Sequence, residues 1–181
     1  MLLDRISDIL EMARIEAGLL EFKPQPLDFA EVLQGCVSEV SRGAREKRVA
    51  LEFEHPTRNV TGFADHHAVR QIGLQLLSNA VKFTPAGGRV IASVRSTSTG
   101  TNVSVSDTGI GIPESELPRL TLPFEQVCAE RYLAKKGQGL GLALVQALAE
   151  KHGGAMRIES AAGKGTTVHV EFPSSKLQTA A

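Results

Sequence analysis

Tryptophan is absent from this 181-residue chain and tyrosine occurs once. That leaves no set of aromatic platforms on which nucleic-acid bases could stack. Neither sign of charge is in excess. Twenty Lys and Arg balance twenty Asp and Glu, so no bulk field draws the chain to nucleic acid or to an anionic membrane. No nucleic-acid partner is therefore expected. The two cysteines, Cys36 and Cys128, form no metal or redox spacing and suit a reducing, cytoplasmic compartment. No apolar run is long enough to cross a bilayer. Acidic Asp4 and Asp8 near the start do not fit a signal peptide. Asn59-Val60-Thr61 and Asn102-Val103-Ser104 match the glycosylation triplet, and without secretion they are chance matches. There are no internal repeats. What is present is 42% hydrophobic and 22% charged residues, enough for one domain with an appendage.

Residues 1 to 20 read as an amphipathic helix. Leu2, Ile6, Ile9, Ala13, Ala17 and Leu20 recur at three and four, and Gly18 lies near the helix end. Such a stripe must be buried against something. Pro24 and Pro26 set it apart from the rest of the chain, which favours a piece of a helical bundle or dimer interface. Asp28 is a candidate N-cap for a second helix over 28 to 47, with Val32, Leu33, Cys36, Val37 and Val40 as its apolar face. Arg48 to Phe53 and Val60 to Phe63 read as short strands. Asp65 opens a helix running to Phe83, with Val69, Ile72, Gly73, Leu76, Leu77 and Ala80 as its core stripe and Thr84-Pro85 as its stop. Arg89 to Val94 and Asn102 to Ser106 form a strand pair. From Glu114 to Gly137 no period survives, and a polar stretch of that length reads as a lid or disorder, with Phe124 as its one obvious anchor. An apolar helix over Leu142 to Lys151 ends at Gly153-Gly154. Strands over Met156 to Ser160 and Thr166 to Phe172 close the domain, and a small polar tail frays from Ser174.

Three local patterns carry chemistry. In the first, Val103, Val105 and Asp107 share one strand face, so Asp107 is a carboxylate at the edge of a core and needs a hydrogen-bond partner. Gly109 and Gly111 come next and let the backbone turn sharply or approach a ligand. By itself the run is also an ordinary strand exit. In the second, Gln75, Asn79 and Lys82 share one helix face at spacings of four and three. A solvated surface is the ordinary explanation of such a face. Amide oxygens can nevertheless bind Mg2+, and an ammonium one turn away can neutralise phosphate. In the third, Gly137-Gln138-Gly139-Leu140-Gly141 leads into a helix, where free N–H groups favour an anion. The spacing is neither that of a Rossmann turn nor that of a Walker A loop. Thr166, in phase with Val168 and Val170, can bond a ligand or simply the backbone.

Taken in order, four blocks resemble the nucleotide-binding domain of sensor histidine kinases. They are Gln75 to Pro85, Asp107 to Pro113, Pro123 to Val127, and Gly137 to Leu142. In that family these are the N, G1, F and G2 boxes. Gly163-Lys164-Gly165-Thr166-Thr167 resembles the family's closing strand, and Asp8 to Gly18 resembles the end of the second dimerisation helix. The likeness covers residues 1 to 173, with a fainter similarity to alphaproteobacterial developmental kinases. It implies an α+β fold, a two-layer α/β sandwich of the Bergerat or GHKL type, with a mixed sheet, helices on one face and a preceding N-terminal helix. It divides the chain into a partial dimerisation helix (1–22), an ATP-binding catalytic domain (23–173) and a disordered tail (174–181).

The resemblance also assigns roles. ATP and Mg2+ are the expected cofactors. Asp107 accepts from the adenine amino group, with Thr166 helping to hold a water. Asn79 and Gln75 hold the metal, and Lys82 touches phosphate, so that Asn79 and Lys82 are the catalytic pair. Gly109 and Gly111 start the lid and Phe124 seats it. Gly137, Gly139, Leu140 and Gly141 present backbone N–H groups to the phosphates. The implied partners are a histidine-bearing dimerisation domain and a response regulator or phosphotransfer protein, with a homodimer as the parent assembly. The parent is cytoplasmic, with or without a membrane anchor.

Three positions depart from the family pattern. Gln75 stands where Asn is usual, Gln138 replaces a Thr, and only half of the dimerisation helix is present. No His-Glu block occurs around a phospho-accepting histidine, so the chain is expected to be a fragment or one half of a separated pair. His55, His66, His67, His152 and His169 lie elsewhere, and most of them are read as surface or structural. Two other readings compete. One is a kinase-like module that binds nucleotide, or has lost it, and acts by docking partners. The other is an ATPase of the gyrase, chaperone or mismatch-repair type. Those enzymes place a glutamate four residues before the Asn as general base, and an amide at Gln75 cannot take that proton.

Overall fold

A computed structural model describes residues 21–120 and 140–174, with 10, 12–15, 17 and 19 of the N-terminal segment. Leu10 and residues 12–15 are helical, and the remainder of the expected 1–20 helix lies outside the described residues. The elements of the domain are β1 (Gln25–Asp28), α1 (Phe29–Glu46), β2 (Ala50–Glu54), β3 (Thr61–Ala64), α2 (His66–Phe83), β4 (Arg89–Ser96), β5 (Gly100–Asp107), a 3-10 turn (Glu114–Arg119), α3 (Gly141–Lys151), β6 (Ala155–Ala161) and β7 (Gly165–Pro173).

The sheet is mixed, in the order β2-β4-β5-β7-β6. β2 runs parallel to β4, and the other pairings are antiparallel. Side chains alternate across it as the pleat requires. Val90, Ala92, Val94, Val103, Val105, Val168, Val170 and Phe172 are buried in one cluster with Leu33, Ile72, Leu76, Leu77, Leu144, Val145 and Leu148 of the helices. The opposite face is polar and its hydroxyls pair with one another. Ser93 meets Ser104 at 2.9 Å, and Ser106 meets Thr167 at 2.9 Å. The expected α+β sandwich with helices on one face is therefore present.

Most element readings hold, within a residue or two. Asp28 caps α1 by accepting from the N–H groups of Ala30 and Glu31. Asp65 caps α2 in the same way through Ala68. Cys36 is buried on α1, and burial pushes its thiol up to about 11, which makes it an unreactive packing group. Three readings need correction. β2 begins at Ala50, not Arg48, because Arg48 turns the chain in the left-handed region at φ 59°. β3 is displaced by one residue to Thr61–Ala64. β1 was not expected at all. Its Pro24 and Pro26 neighbourhood reads as an interruption, yet Gln25–Asp28 pairs with β3 in a two-stranded sheet. The strand has one free edge, where a missing N–H is tolerated.

Candidate functional site

The site is assembled where α2, the turn after β5 and the start of α3 meet. Asp107 is the last residue of β5, opposite Thr166 on β7. Its Oδ1 accepts from Gly109 N–H at 2.7 Å. Burial raises its carboxyl above the usual range, while N–H groups of Gly109 and Thr166 oppose that shift. The carboxylate is thus fixed in place and still open to a further donor.

The turn beyond Asp107 is tightly constrained. Gly111 has φ 64°, and a Cβ there would lie 1.9 Å from the Ala161 carbonyl oxygen, so no side chain fits. Ile112 N–H donates to Ser160 Oγ at 2.8 Å, and Ser160 donates to the Gly165 carbonyl at 2.8 Å. Thr166 Oγ1 lies 2.9 Å from Ser160 Oγ. Since the one Ser160 proton goes to Gly165, Thr166 is the donor in that pair. Its own oxygen keeps lone pairs for an acceptor role. Ser160 is thus the hub of this turn. The sequence did not single it out, because its three partners come from two other segments.

Ile110 N–H donates to the Phe83 carbonyl at 3.3 Å, which ties the Asp107 turn to the end of α2. On α2, Gln75, Asn79 and Lys82 are each half-buried, as the shared helix face predicts. Lys82 Nζ lies 4.8 Å from the centroid of the Phe83 ring. The start of α3 closes the third side. A Cβ at Gly141 would lie 2.8 Å from Gln75 Oε1 and 3.3 Å from Asn79 Nδ2. Only a glycine lets the helix start come that near both amides. Leu140, buried, precedes it and offers no side-chain cap, and the first turn of α3 carries no acid. The helix N–H groups and dipole are thus left to favour an anion.

Asp107, Gly109, Gly111 and Thr166 form one group, and Gln75, Asn79 and Gly141 form a second. Lys82 joins the two through the end of its helix. Phe124, Gly137 and Gly139, with Gln138, lie outside the described residues. The described residues contain no cluster of His, Cys, Asp and Glu suited to a metal. The amides of Gln75 and Asn79 face the position that a Cβ at Gly141 would fill, Gln75 with its oxygen and Asn79 with its nitrogen. An amide oxygen is a hard donor and fits Mg2+ beside a phosphate chain. Among the described residues no helix is long and apolar enough to cross a membrane.

Two further residues tie the ends of α2 to the rest of the fold. Lys47 Nζ donates to the carbonyls of Val81 and Lys82. His152, at the end of α3, accepts the Asp65 N–H at its Nε2 and donates from Nδ1 to the Leu148 carbonyl. Its ring packs edge-on against Phe22 and Phe172. His152 is thus structural, as expected.

Comparison with known proteins agrees with this geometry. The model of the histidine kinase-, DNA gyrase B- and HSP90-like ATPase family matches residues 64–176. The histidine protein kinase DivJ of Caulobacter vibrioides is 41% identical over 172 residues, covering 95% of this chain and 29% of that protein. Full-length ShkA, solved in complex with AMPPNP, superposes with a TM-score of 0.81 at 31% identity, over 96% of this chain and 36% of that one. A mycobacterial sensor histidine kinase, MprB, gives a TM-score of 0.69 at 28% identity, over 83% and 97%. The chain spans a third or less of the length of the first curated relatives it matches. A half-buried carboxylate at a strand end lies near an amide-bearing helix whose amides face a glycine-led helix start, and by fold and sequence alike the chain belongs to the histidine kinase-, DNA gyrase B- and HSP90-like ATPase family, as an ATP-binding domain of the kind that sensor histidine kinases carry.

Proposed function

We propose that the chain is the nucleotide-binding, phosphoryl-donating part of a sensor histidine kinase. Residues 1–22 would be the end of a dimerisation helix and residues 23–173 the catalytic domain. The observation that supports this most directly is Asp107, held by Gly109 and Thr166 with acceptor capacity remaining. Adenine presents an exocyclic amine, a donor that such a carboxylate matches. Thr166 Oγ1, itself donating to Ser160, is an acceptor for a water shared with the base. Asn79 and Gln75 would hold Mg2+, which when bound neutralises phosphate oxygens. Lys82 would neutralise the phosphates from the side, and the start of α3, with Leu140 and Gly141, would meet them with N–H groups. Gly137, Gly139 and Phe124 would add lid contacts. Phosphoryl transfer requires little beyond such positioning and charge neutralisation.

The acceptor would be a histidine on a separate dimerisation domain, and a response regulator or phosphotransfer protein would take the phosphoryl group onward. The parent assembly would be a homodimer in the cytoplasm, with or without a membrane anchor. Steady ATP hydrolysis is not expected, because Gln75 supplies an amide where a water-activating glutamate would be needed.

The test is titration of the chain with ATP and Mg2+, followed by transfer to a supplied histidine-bearing helical domain. The Asp107→Asn variant should lose at least about tenfold in ATP affinity, a single well-placed hydrogen bond to a charged group. Its folding should be unharmed, since the change removes a half-buried charge. Asp107 is raised, so its ionisation opposes folding as pH rises through its range. The variant should therefore compare best with wild type near neutral pH and lose that advantage in acid. Unchanged ATP affinity in Asp107→Asn would defeat the proposal. A second reading, a docking module that holds nucleotide without transferring phosphate, is favoured only by Gln75 at the metal position. Tight ATP binding with no transfer to a docked histidine domain would select it.

A further inference from the structure

We propose that Lys47 is a positioning residue for Lys82, fixing the backbone from which that side chain reaches the phosphates. The inference rests on the proposed contact between Lys82 and the triphosphate. A helix leaves its last four carbonyls without helical partners. On α2 the C-cap Thr84 still meets Ala80 in the helical pattern, while Val81, Lys82 and Phe83 are supplied from elsewhere. Ala80 accepts from Thr84, through both N–H at 3.0 Å and Oγ1 at 2.7 Å. Phe83 accepts from Ile110 in the Asp107 turn. The two between them accept from one ammonium, Lys47 Nζ, at 2.5 Å for Val81 and 2.6 Å for Lys82.

Lys47 is itself held. Its N–H donates to the Gly43 carbonyl as α1 ends, and the left-handed turn at Arg48 comes immediately after. The Arg48 carbonyl then accepts from Gly87 N–H at 2.8 Å, in the loop just past α2. The two chain segments are stapled in both directions, once by the ammonium and once by the backbone. A neutral donor could satisfy the carbonyls. A cation also matches the negative end of the α2 dipole, and the charge stays beside the residue that must hold its direction. Lys82 is the next-to-last residue of α2, where fraying would first disturb its aim.

The experiment is a double-mutant cycle on the full chain, comparing wild type, Lys47→Met, Lys82→Ala and the double variant. Affinity is measured for ATP with Mg2+ and, separately, for adenosine, which lacks phosphates. Lys47→Met is expected to weaken ATP about tenfold while leaving adenosine within about twofold. The double variant should bind ATP within about twofold of Lys82→Ala alone, because Lys47 acts only through Lys82. Lys47→Arg, which keeps charge and donors, should rescue ATP affinity to within about threefold of wild type. Where Lys47→Met does not fold, Lys47→Gln keeps an uncharged NH2 donor group and enters the same cycle. Additive losses, or equal losses for ATP and adenosine, overturn the inference and leave the nucleotide reading standing. If Lys82→Ala binds ATP as wild type does, the phosphate role of Lys82 falls first and the inference falls with it.

Discussion

The two ends of α2 are held by opposite means. At the N-terminal end the anchors are spread over several segments. Asp65 caps the helix, accepts Lys23 N–H from the linker at 2.8 Å, and gives its own N–H to His152. At the C-terminal end a single ammonium spans two carbonyls, and the Asp107 turn takes a third. The N-terminal set docks the helix on the linker and on α3, far from the nucleotide face. The C-terminal set lies beside Lys82 and within the proposed nucleotide site. Damage at the first end should therefore appear as lost stability, and damage at the second as lost phosphate recognition.

Three changes can break or sharpen that contrast. The largest loss of stability is expected from Asp65→Ala, which removes an N-cap and the acceptor for Lys23. Burial alone would push Asp65 up, but the N–H groups of Lys23, Ala68 and His67 hold it below the usual carboxylate range. The substitution should lower unfolding free energy by about 2 kcal/mol in urea titration, with ATP affinity within about twofold of wild type. A tenfold loss of ATP affinity there would erase the distinction between the ends.

The next effect is a pH slope. Burial holds His152 below its usual value, while its bond to the Leu148 carbonyl and the charge of the Asp65 carboxylate act the other way. Its neutral ring is the form that can accept the Asp65 N–H. The unfolded chain then binds the extra proton first, so stability should fall as pH drops below about 6.5. His152→Gln should be less stable at neutral pH, yet show a flatter acid limb between about pH 6.5 and 5 in thermal unfolding. An unchanged limb would remove His152 from the N-terminal anchor.

The smallest change is expected from Arg48→Gly. Relief of a left-handed non-glycine residue offers about 1 kcal/mol, and the added freedom of glycine in the unfolded chain takes back about 0.5–1 kcal/mol. Stability should stay within about 0.5 kcal/mol of wild type. A larger loss would show that the Arg48 side chain itself helps to hold the C-terminal end.

Legibility in the sequence tracks the range of the interactions. Asp65, the apolar stripe of α2 and the Gln75, Asn79 and Lys82 face all lie within one helix, and each was legible from spacing alone. Asp107 was legible as a carboxylate on an alternating strand. Its donors were only half legible, since Gly109 is two residues away and Thr166 arrives by strand pairing. Lys47 and His152 were silent, because their partners lie 34, 35 and 87 residues along the chain. No local pattern marks a lysine that caps a helix from a different element. β1 was hidden for another reason: prolines argue against strands, and only the unpaired side of a two-stranded ribbon makes them harmless.

The serine and threonine pairs on the sheet face turned away from the helices carry a consequence for handling the protein. Those hydroxyls bond to one another, so this face satisfies its own hydroxyl groups. Introducing valine at Ser104 would leave the buried Ser93 hydroxyl without that partner and add an apolar group to a polar face. Solubility, more than catalysis, is what such a change would forfeit.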